Sequence, residues 1–303
     1  MNAREKGIFH KFNVTRTDGR DAPGEKHEGD QYFVLNITTD PYAIPALAAY
    51  AEACRSEYAV LASDIQNMIG SKVLASSEYI TVPDVTLPSG QMVPSFRVAK
   101  YLSSRGPGDT PVSIATSAPW VEINYKDARD AADRAHLVLL TETQALAIAF
   151  DISQQAINWT GGKVGNGSLF QGLHNDNFDE AQPANVESED ETERRWLELS
   201  NGERIYDFAG NAYTWIFDDV QGDENGLTTI IKADSISLAT APYPSRQNGM
   251  GYRPDGERDW SGAALVRGGC WGSESHAGAF GLNYGWPVNE GDGVGFRCTK
   301  PGL

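Results

Sequence analysis

Histidine, serine and cysteine are the residues most able to do chemistry in this chain, and their spacing gives little support to catalysis. None of the five histidines has a partner at i, i+4 or an HExxH pattern, so a catalytic zinc site is not expected. The serines and cysteines lie in no GxSxG or Cys/His nucleophile context. The histidine between two predicted helices, His136, is interpreted as structural. The other four are His10, His27, His174 and His276.

A glycine-rich stretch, GGKVGNG at residues 161–167, superficially suggests a phosphate-binding loop. Its lysine is misplaced for the GxxxxGK[ST] pattern, and no apolar strand leads into it and no helix out of it. Asp and Asn are abundant, but no segment matches an EF-hand loop. We therefore expect no cofactor, while a structural calcium ion in the loop-rich region stays open.

The C-terminal stretch, residues 267–298, has a different character. Its ends, RGGCW and GFRC, combine glycine, aromatic residues and arginine in the way that is typical of tight turns around a packed ring. Between them, residues 272–293 are small or polar with scattered aromatics, and they show neither a helical period nor a sustained strand alternation. The pattern predicts firm ends around a permissive segment.

Charge and composition restrict the partners. The 303 residues include 41 acidic and 25 basic side chains, for a formal net charge of -16, so nucleic acid is not an expected partner. The first residues lack the apolar run of a secretory signal, and no membrane-spanning run occurs. We expect a monomer, made in the cytoplasm and not inserted in a membrane. Its final location stays unknown, with a virus particle or a cell surface reached by a non-classical route both open.

Residues 1–75 are predicted to form an arm followed by a strand and a helix. Residues 1–30 are rich in charge and glycine, which predicts a flexible arm. Residues 32–39, YFVLNITT, predict a strand, and Asp40-Pro41 predicts a helix start. One helix should then run to about Gly70. Its predicted buried face comprises Leu47, Tyr50, Cys54, Tyr58, Leu61, Ile65 and Met68.

Residues 76–303 are predicted to form the main domain. Two β-rich runs, residues 79–82 and 96–102, flank a turn at residues 87–90 and indicate a hairpin. Two helices are expected, at about residues 124–135 and 142–156. A capping box, TETQ, opens the second helix.

Further along, a hairpin is expected around Asn201-Gly202 and a strand from Ala264. Helices thus come early, while short strands and long loops come late. This order predicts a loop-rich α+β domain.

Six segments also follow, in order, the pattern of the formylglycine-generating-enzyme type of C-type lectin fold. They are FRVAKYLSS, APWVEINYKDARDAA, LLTETQALAIA, GNAYTW, LVRGGCW and GFR. The resemblance covers about residues 79–300. It implies a C-type lectin fold of this sulfatase-modifying type within the α+β class.

The same resemblance argues against the enzyme. In that family two cysteines just beyond the RGGS-like turn carry the oxidase chemistry, and here those positions hold Ser273 and Gly278. Neither can bind copper as a thiolate or act as a redox thiol. The three cysteines, Cys54, Cys270 and Cys298, are expected to be buried thiols, with a Cys270–Cys298 bridge the less favoured alternative.

Three segments resemble a second branch more closely, the variable proteins of diversity-generating retroelements. They are NWTGGKVGNGSLFQGLHND, LSNGERIYDFAGNAYTW and the RGGCW to GFRC stretch. In that family a reverse transcriptase copies a template repeat with errors at adenines, and the variable stretch ends at GFR. The resemblance implies a hypervariable binding surface within residues 267–297.

The resemblance divides this stretch into a framework and a variable surface. The framework comprises Arg267, Gly268, Gly269, Trp271, Ala277, Phe280, Leu282, Pro287, Val294, Gly295, Phe296 and Arg297. The variable, ligand-binding positions are Gly272, Ser273, Glu274, Ser275, His276, Gly281, Asn283, Tyr284, Gly285, Trp286, Asn289, Glu290, Asp292 and Gly293.

The variable set is rich in Tyr, Trp, Ser, Gly, Asn and His, as antibody paratopes are. Tyr284 and Trp286 are the expected anchors. Mutating both adenines of an asparagine codon never gives Glu or Trp, so Glu274, Trp286 and Glu290 need another template codon or are fixed.

The sequence therefore predicts a non-enzymatic protein that recognises a host or cell-surface macromolecule, acting in receptor recognition. Three alternatives stay open. They are a metal-dependent oxidase of the formylglycine-generating type, a structural virion or surface component attached through its N-terminal segment, and a lectin-like module without diversification.

Overall fold

The computed structural model describes most of the chain as two compact units. The first unit is Met1–Ile69 and the second is Gly70–Leu303. Within the described part, every helix is too short or too polar to cross a membrane. The described residues are 12–38, 40, 42–75, 77–217, 222–223, 226–227, 230–231, 239–254, 256 and 258–301.

The N-terminal unit does not contain the predicted strand. Residues 32–36 are irregular and residues 37–38 form a turn, while Thr39 lies outside the described residues. A strand needs a neighbour to pair with its backbone, and residues 32–38 pair with none of the strands described below. Propensity alone was therefore a misleading signal here.

The predicted single helix is two helices, α1 (Ala43–Cys54) and α2 (Ala59–Ala75). The Asp40 side chain accepts a hydrogen bond from the Tyr42 N–H at 2.9 Å, but α1 begins only at Ala43. The predicted first helical residue, Pro41, lies outside the described residues.

The break between the two helices changes which side chains are buried. Because the turn resets the helical phase, Tyr50, Tyr58 and Leu61 are exposed rather than buried. Cys54 and Ile65 are buried as predicted, and Leu47 and Met68 are half-buried.

The second unit contains two further helices and the strands. The helices are α3 (Tyr125–Arg134) and α4 (Glu142–Ser153). The strands are β1 (Tyr79–Val82), β2 (Val85–Thr86), β3 (Met92–Val93), β4 (Phe96–Ala99), β5 (Ser104–Arg105), β6 (Pro111–Val112), β7 (Val138–Leu139), β8 (Trp196–Glu198), β9 (Arg204–Tyr206), β10 (Tyr213–Trp215), β11 (Gly222–Asp223), β12 (Gly226–Leu227), β13 (Ile230–Ile231), β14 (Arg258–Asp259), β15 (Ala264–Gly268), β16 (Gly278–Gly285), β17 (Val294–Phe296) and β18 (Cys298–Lys300).

Both predicted helices of this unit are confirmed, with their caps. Asn124 accepts a hydrogen bond from the Asp127 N–H at 2.9 Å at the start of α3. Thr141 and Gln144 form the predicted capping box, in which the Gln144 N–H donates to Thr141 Oγ1 at 3.2 Å and the Thr141 N–H donates to Gln144 Oε1 at 3.1 Å. These local signals fixed the start of each helix.

Both predicted hairpins are also present. Strand β1 pairs antiparallel with β4, and the short β2–β3 hairpin lies between them around the turn at Gly90, whose φ is +86°. Strands β8 and β9 pair around Gly202, whose φ is +82°.

Two four-stranded sheets organise the unit, in the orders β1-β4-β18-β7 and β16-β15-β10-β17. The C-terminal strands join them, because β17 lies in the second sheet and β18, two residues later, lies in the first. One core cluster surrounds α4 and includes Phe280; another lies beneath α3 and includes Trp215 and Phe296. The predicted α+β class is confirmed.

The segment at 272–293, for which no strand was predicted, contains the longest strand that the structure describes. In β16 the first five residues are all buried, so there is no alternation for the sequence to show. Glycine permits this close packing, since a Cβ on Gly278 would lie 2.2 Å from the Gly251 nitrogen.

Candidate ligand-binding surface

The arginine that begins the C-terminal stretch is locked into the core. Arg267, at the end of β15, donates through Nε to Glu142 Oε2 at 2.8 Å and through Nη2 to Glu142 Oε1. It also reaches the Phe280 carbonyl at 3.3 Å. Glu142 is the first residue of α4, where a carboxylate is favoured by the helix dipole. One buried side chain therefore ties β15, β16 and α4 together.

The two glycines that follow Arg267 make the turn that leads out of β15. Gly268 and Gly269 have φ values of +95° and +96°. A Cβ on Gly269 would lie 2.5 Å from the Ala277 Cα, and one on Gly268 would lie 2.9 Å from the Phe208 oxygen. Only glycine fits both positions without a shift of the backbone.

Arg297 anchors the other end of the stretch. Its fully buried guanidinium donates to the carbonyls of Ala99 at 2.6 Å, Asp207 at 3.2 Å and Tyr206. Burial lowers the pKa of Arg297 to about 10, opposed by Asp207 and by Cys298, which leaves the side chain charged at neutral pH. The predicted framework residues are all buried except Trp271, Pro287 and Val294, which are half-buried.

The fourteen predicted binding positions are not equally accessible. Three are half-buried, namely Asn283, Gly285 and Gly293. Two, Ser273 and Gly281, are buried and lie outside any accessible surface. Nine are exposed, and these are Gly272, Glu274, Ser275, His276, Tyr284, Trp286, Asn289, Glu290 and Asp292.

Ser273 and Gly281 are buried for structural reasons. Ser273 Oγ accepts a hydrogen bond from the Cys270 N–H at 2.8 Å and so closes the turn after Gly269. A Cβ on Gly281 would lie 3.0 Å from the Gly278 oxygen, in the tightly packed half of β16. Serine and glycine are common in paratopes, but at these two positions the turn and the close packing of β16 explain the residue types.

The first exposed group is the 272–276 loop. It contains a short 3-10 helix, Glu274–His276, and Glu274 has a φ of +47°. The Glu274 N–H donates to the His174 carbonyl at 2.7 Å. The His276 ring stands edge-on to Tyr252, with centroids 5.5 Å apart. Partial burial, and then the charge of Arg246, lower the pKa of His276, while Glu274 opposes them.

The second exposed group is built on two aromatic side chains. Tyr284 and Trp286 are 42% and 52% exposed, and their rings meet edge to face with centroids 6.1 Å apart. The buried Trp260 packs against the Tyr284 ring with a centroid distance of 4.9 Å. Gly285, between them, lies over Trp215, because a Cβ at this position would be 2.6 Å from Trp215 Cη2.

These side chains border a groove of about 390 Å³, which we call the aromatic groove. The buried Trp215 is held by a hydrogen bond from its indole Nε1 to the Ile123 carbonyl at 2.9 Å. The lining residues are Trp215, Asn283, Tyr284, Gly285, Trp286, Asn289, Glu290, Gly291 and Val294.

A second groove of about 250 Å³, which we call the polar groove, shares Glu290 with the first. Arg105 stacks over Trp120 at 5.2 Å and pairs with Asp109 at 2.7 Å. Its lining residues are Arg105, Asp109, Trp120, Glu122, Ile123, Asp127, Arg134 and Glu290. Sequence reasoning missed all of these except Glu290, because the others lie more than 150 residues earlier in the chain and only the tertiary fold brings them here.

The two exposed groups lie at opposite ends of β16, which at eight residues is about 23 Å long. The loop after β16 returns toward the first group, since a Cβ on Gly293 would lie 3.1 Å from Cys270 Cβ. The loop that carries Glu290 therefore ends beside the Cys270 turn.

The three cysteines are free thiols. Cys54 and Cys298 are buried as expected, whereas Cys270 is half-buried. Burial raises the pKa of the Cys298 thiol to about 12, opposed by a hydrogen bond from Ser103 and by Arg297. In the ranges that the structure describes, no three His, Cys, Asp or Glu side chains are placed to hold a metal ion.

No family model and no curated protein matches this chain. Among solved structures, it is similar to PvdO from Pseudomonas aeruginosa, with 14% identity, a TM-score of 0.37 and coverage of 74% of this chain and 94% of PvdO. Variable protein 1 of Treponema denticola gives 13% identity, a TM-score of 0.36 and coverage of 74% and 95%.

The U1 variant of Major Tropism Determinant gives 16% identity, a TM-score of 0.34 and coverage of 71% and 51%, so the chain spans about half of that protein. The neighbours include a variable protein, the class that the sequence resembles. At these identities and TM-scores, the likeness assigns neither a ligand nor a partner.

Proposed function

We propose that this protein is a non-enzymatic ligand-binding protein whose exposed C-terminal residues recognise a protein or other macromolecule on a host or neighbouring cell. The observation that supports the proposal best is the division within residues 267–297. Buried framework residues hold the ends, and nine of the fourteen predicted binding positions between them are exposed.

The exposed aromatics favour recognition of a macromolecule. Trp286 and Tyr284 leave about half of their surface in water, at a cost that a partner removes by covering them. Tyr284 is pre-oriented by Trp260, so little conformational entropy is lost on binding. Rigid aromatics of this kind are the usual anchors of protein interfaces.

The absence of catalysis is part of the proposal and rests on two positions. Ser273 Oγ is occupied in closing its turn, and Gly278 has no room for a side chain. Neither position carries the thiol that the oxidase chemistry of the resembled enzyme requires.

We further propose that a retroelement diversifies this surface. The packing indicates which positions could vary and which could not. Side chains could vary at Ser275 and Asn289, which are exposed, whereas Asn283 is half-buried and its side chain accepts a hydrogen bond from the Tyr284 N–H at 2.9 Å. By contrast, we expect Ser273, Gly281 and Gly285 to stay constant, because Ser273 closes the turn and the two glycines make close contacts.

The test is to sequence the DNA beside this gene and look for a reverse transcriptase and a near-copy of the codons for residues 267–297. We expect a copy that differs at adenines in the codons of exposed residues and agrees in those of Ser273, Gly281 and Gly285. Differences concentrated in the buried codons would contradict the assignment. A gene without any such copy would leave a binding protein with a fixed surface.

A further inference from the structure

We propose that the aromatic groove accepts a cationic side chain, a lysine or an arginine presented by the protein partner. This inference rests on the proposed function, because it names the chemistry of the ligand that the same surface would bind. Three observations support it: the aromatic walls, the carboxylates beside them and the charge of the whole molecule.

The walls offer the faces that a cation prefers. Tyr284 and Trp286 both line the groove, are both partly exposed, and stand nearly perpendicular to each other, at an interplanar angle of 87°. An aromatic face is electronegative and attracts an ammonium or guanidinium group. The Trp260 ring behind Tyr284 limits reorientation of this wall.

The carboxylate at the junction of the two grooves supplies the counter-charge. Glu290 is exposed and lines both grooves. Within the described ranges, no lysine or arginine forms an ion pair with Glu290 or with Glu122, a second exposed acid that lines the polar groove. A cation bound at the aromatic walls would therefore share the groove with the negative charge of Glu290.

The other charged groups of the polar groove are already engaged. Asp109 is paired with Arg105, whose hydrogen bond lowers the pKa of that carboxyl. Arg134 donates to the Asp109 carbonyl at 2.9 Å. Asp127 accepts a hydrogen bond from the Asn124 amide at 2.7 Å. Among the described residues that line the polar groove, Glu122 and Glu290 are the carboxylates without an ion-pair or hydrogen-bond partner, so the groove favours a cation over an anion.

The field of the whole protein acts in the same direction. With a formal net charge of -16, the molecule attracts cationic partners and repels anionic ones at distances beyond direct contact. Cation recognition at the groove would therefore weaken as salt is added.

The experiment uses the full chain with ¹⁵N-labelled tryptophan, and follows the indole N–H signal of Trp286 during titration. The probes are N-acetyl-arginine amide, N-acetyl-lysine amide and the neutral analogue N-acetyl-citrulline amide. We expect arginine and lysine to shift the Trp286 signal, and citrulline to bind about fivefold or more weakly.

Two variants separate charge from apolar contact. Glu290→Gln should weaken arginine binding about threefold to fivefold and leave citrulline unchanged, while the control Glu203→Gln, an exposed acid that lines neither groove, should change neither. Trp286→Leu keeps an apolar side chain but removes the aromatic face. This variant should bind arginine more weakly. Because it lacks the Trp286 signal, its binding is followed by the indole N–H signal of Trp215.

Citrulline binding equal to arginine binding, or an unchanged arginine affinity in Glu290→Gln, would overturn the cation proposal. Neither result touches the proposed function, which depends on the exposed residues and the template repeat rather than on the charge of the ligand. Conversely, a missing repeat leaves cation binding by the groove intact.

Discussion

The framework residues and the exposed residues of the C-terminal stretch differ in what their surroundings require. Arg267, Phe296 and Arg297 each make buried contacts that few other residue types could make. Ser275 and Asn289 lie on the surface within the same 31 residues. Under the proposed function, the exposed residues would change while the buried residues keep the fold.

The largest expected difference in stability is between alanine variants of Phe296 and of Tyr284. Phe296 is fully buried, with its ring 5.6 Å from that of Trp120, so Phe296→Ala should cost about 3–5 kcal/mol of unfolding free energy. Tyr284→Ala removes a 42% exposed ring and should cost about 1 kcal/mol or less. Urea denaturation of both variants measures their unfolding free energies. Equal losses in the two variants would contradict the distinction between framework and exposed residues.

The next effect concerns the buried ion pair. Arg267→Ala leaves the Glu142 carboxylate buried without its cation and should cost about 3 kcal/mol. The double variant Arg267→Met, Glu142→Leu should lose less than Arg267→Ala, because no buried charge then remains unpaired. Chemical denaturation tests this, and a double variant less stable than the single one would contradict it.

A smaller effect tests whether a glycine inside the exposed segment belongs to the framework. Gly285→Ala would place a methyl group 2.6 Å from Trp215 Cη2 and should cost about 1–3 kcal/mol. Gly291→Ala is the matched control, since its nearest atom is Val294 Cγ2 at 3.6 Å. Thermal melting of the two variants is the measurement. Equal melting temperatures would show that packing does not require glycine at position 285, which would then count among the variable positions.

Glu274 offers a change in the opposite direction. Its φ of +47° lies in the left-handed region, which Asn tolerates better than Glu. Glu274→Asn should therefore stabilise the fold by up to about 1 kcal/mol. Lower stability in urea would show that the Glu274 side chain contributes to the fold as well.

The smallest effect is the pH dependence at His276. Because partial burial and Arg246 lower the pKa of His276 in the folded state, the unfolded chain binds the proton first as pH falls below about 6.5. His276 thus favours folding above that pH and loses this contribution on acidification. Melting temperatures from pH 7.5 to 5.5 should fall less in His276→Gln than in the parent protein.

Local signals were predictable from the sequence, and contacts between distant segments were not. The capping box at Thr141 and the turn at Gly202 act within a few residues, so the sequence alone located α4 and the β8–β9 hairpin. The strand predicted at residues 32–39 failed for the opposite reason, since a strand exists only through a partner that local propensity does not specify.

The candidate surface divides in the same way. The RGG turn and the GFR end could be located from the sequence, because they are local patterns with strong steric requirements, whereas the burial of the first five residues of β16 could not. The tertiary structure buries Ser273 and Gly281 and packs Gly285 against Trp215. It alone brought Glu290 beside Trp120 and Glu122, which lie about 170 residues earlier. The physical reason is that close packing and groove formation depend on atoms from segments far apart in the chain, and no local pattern records which segments will meet.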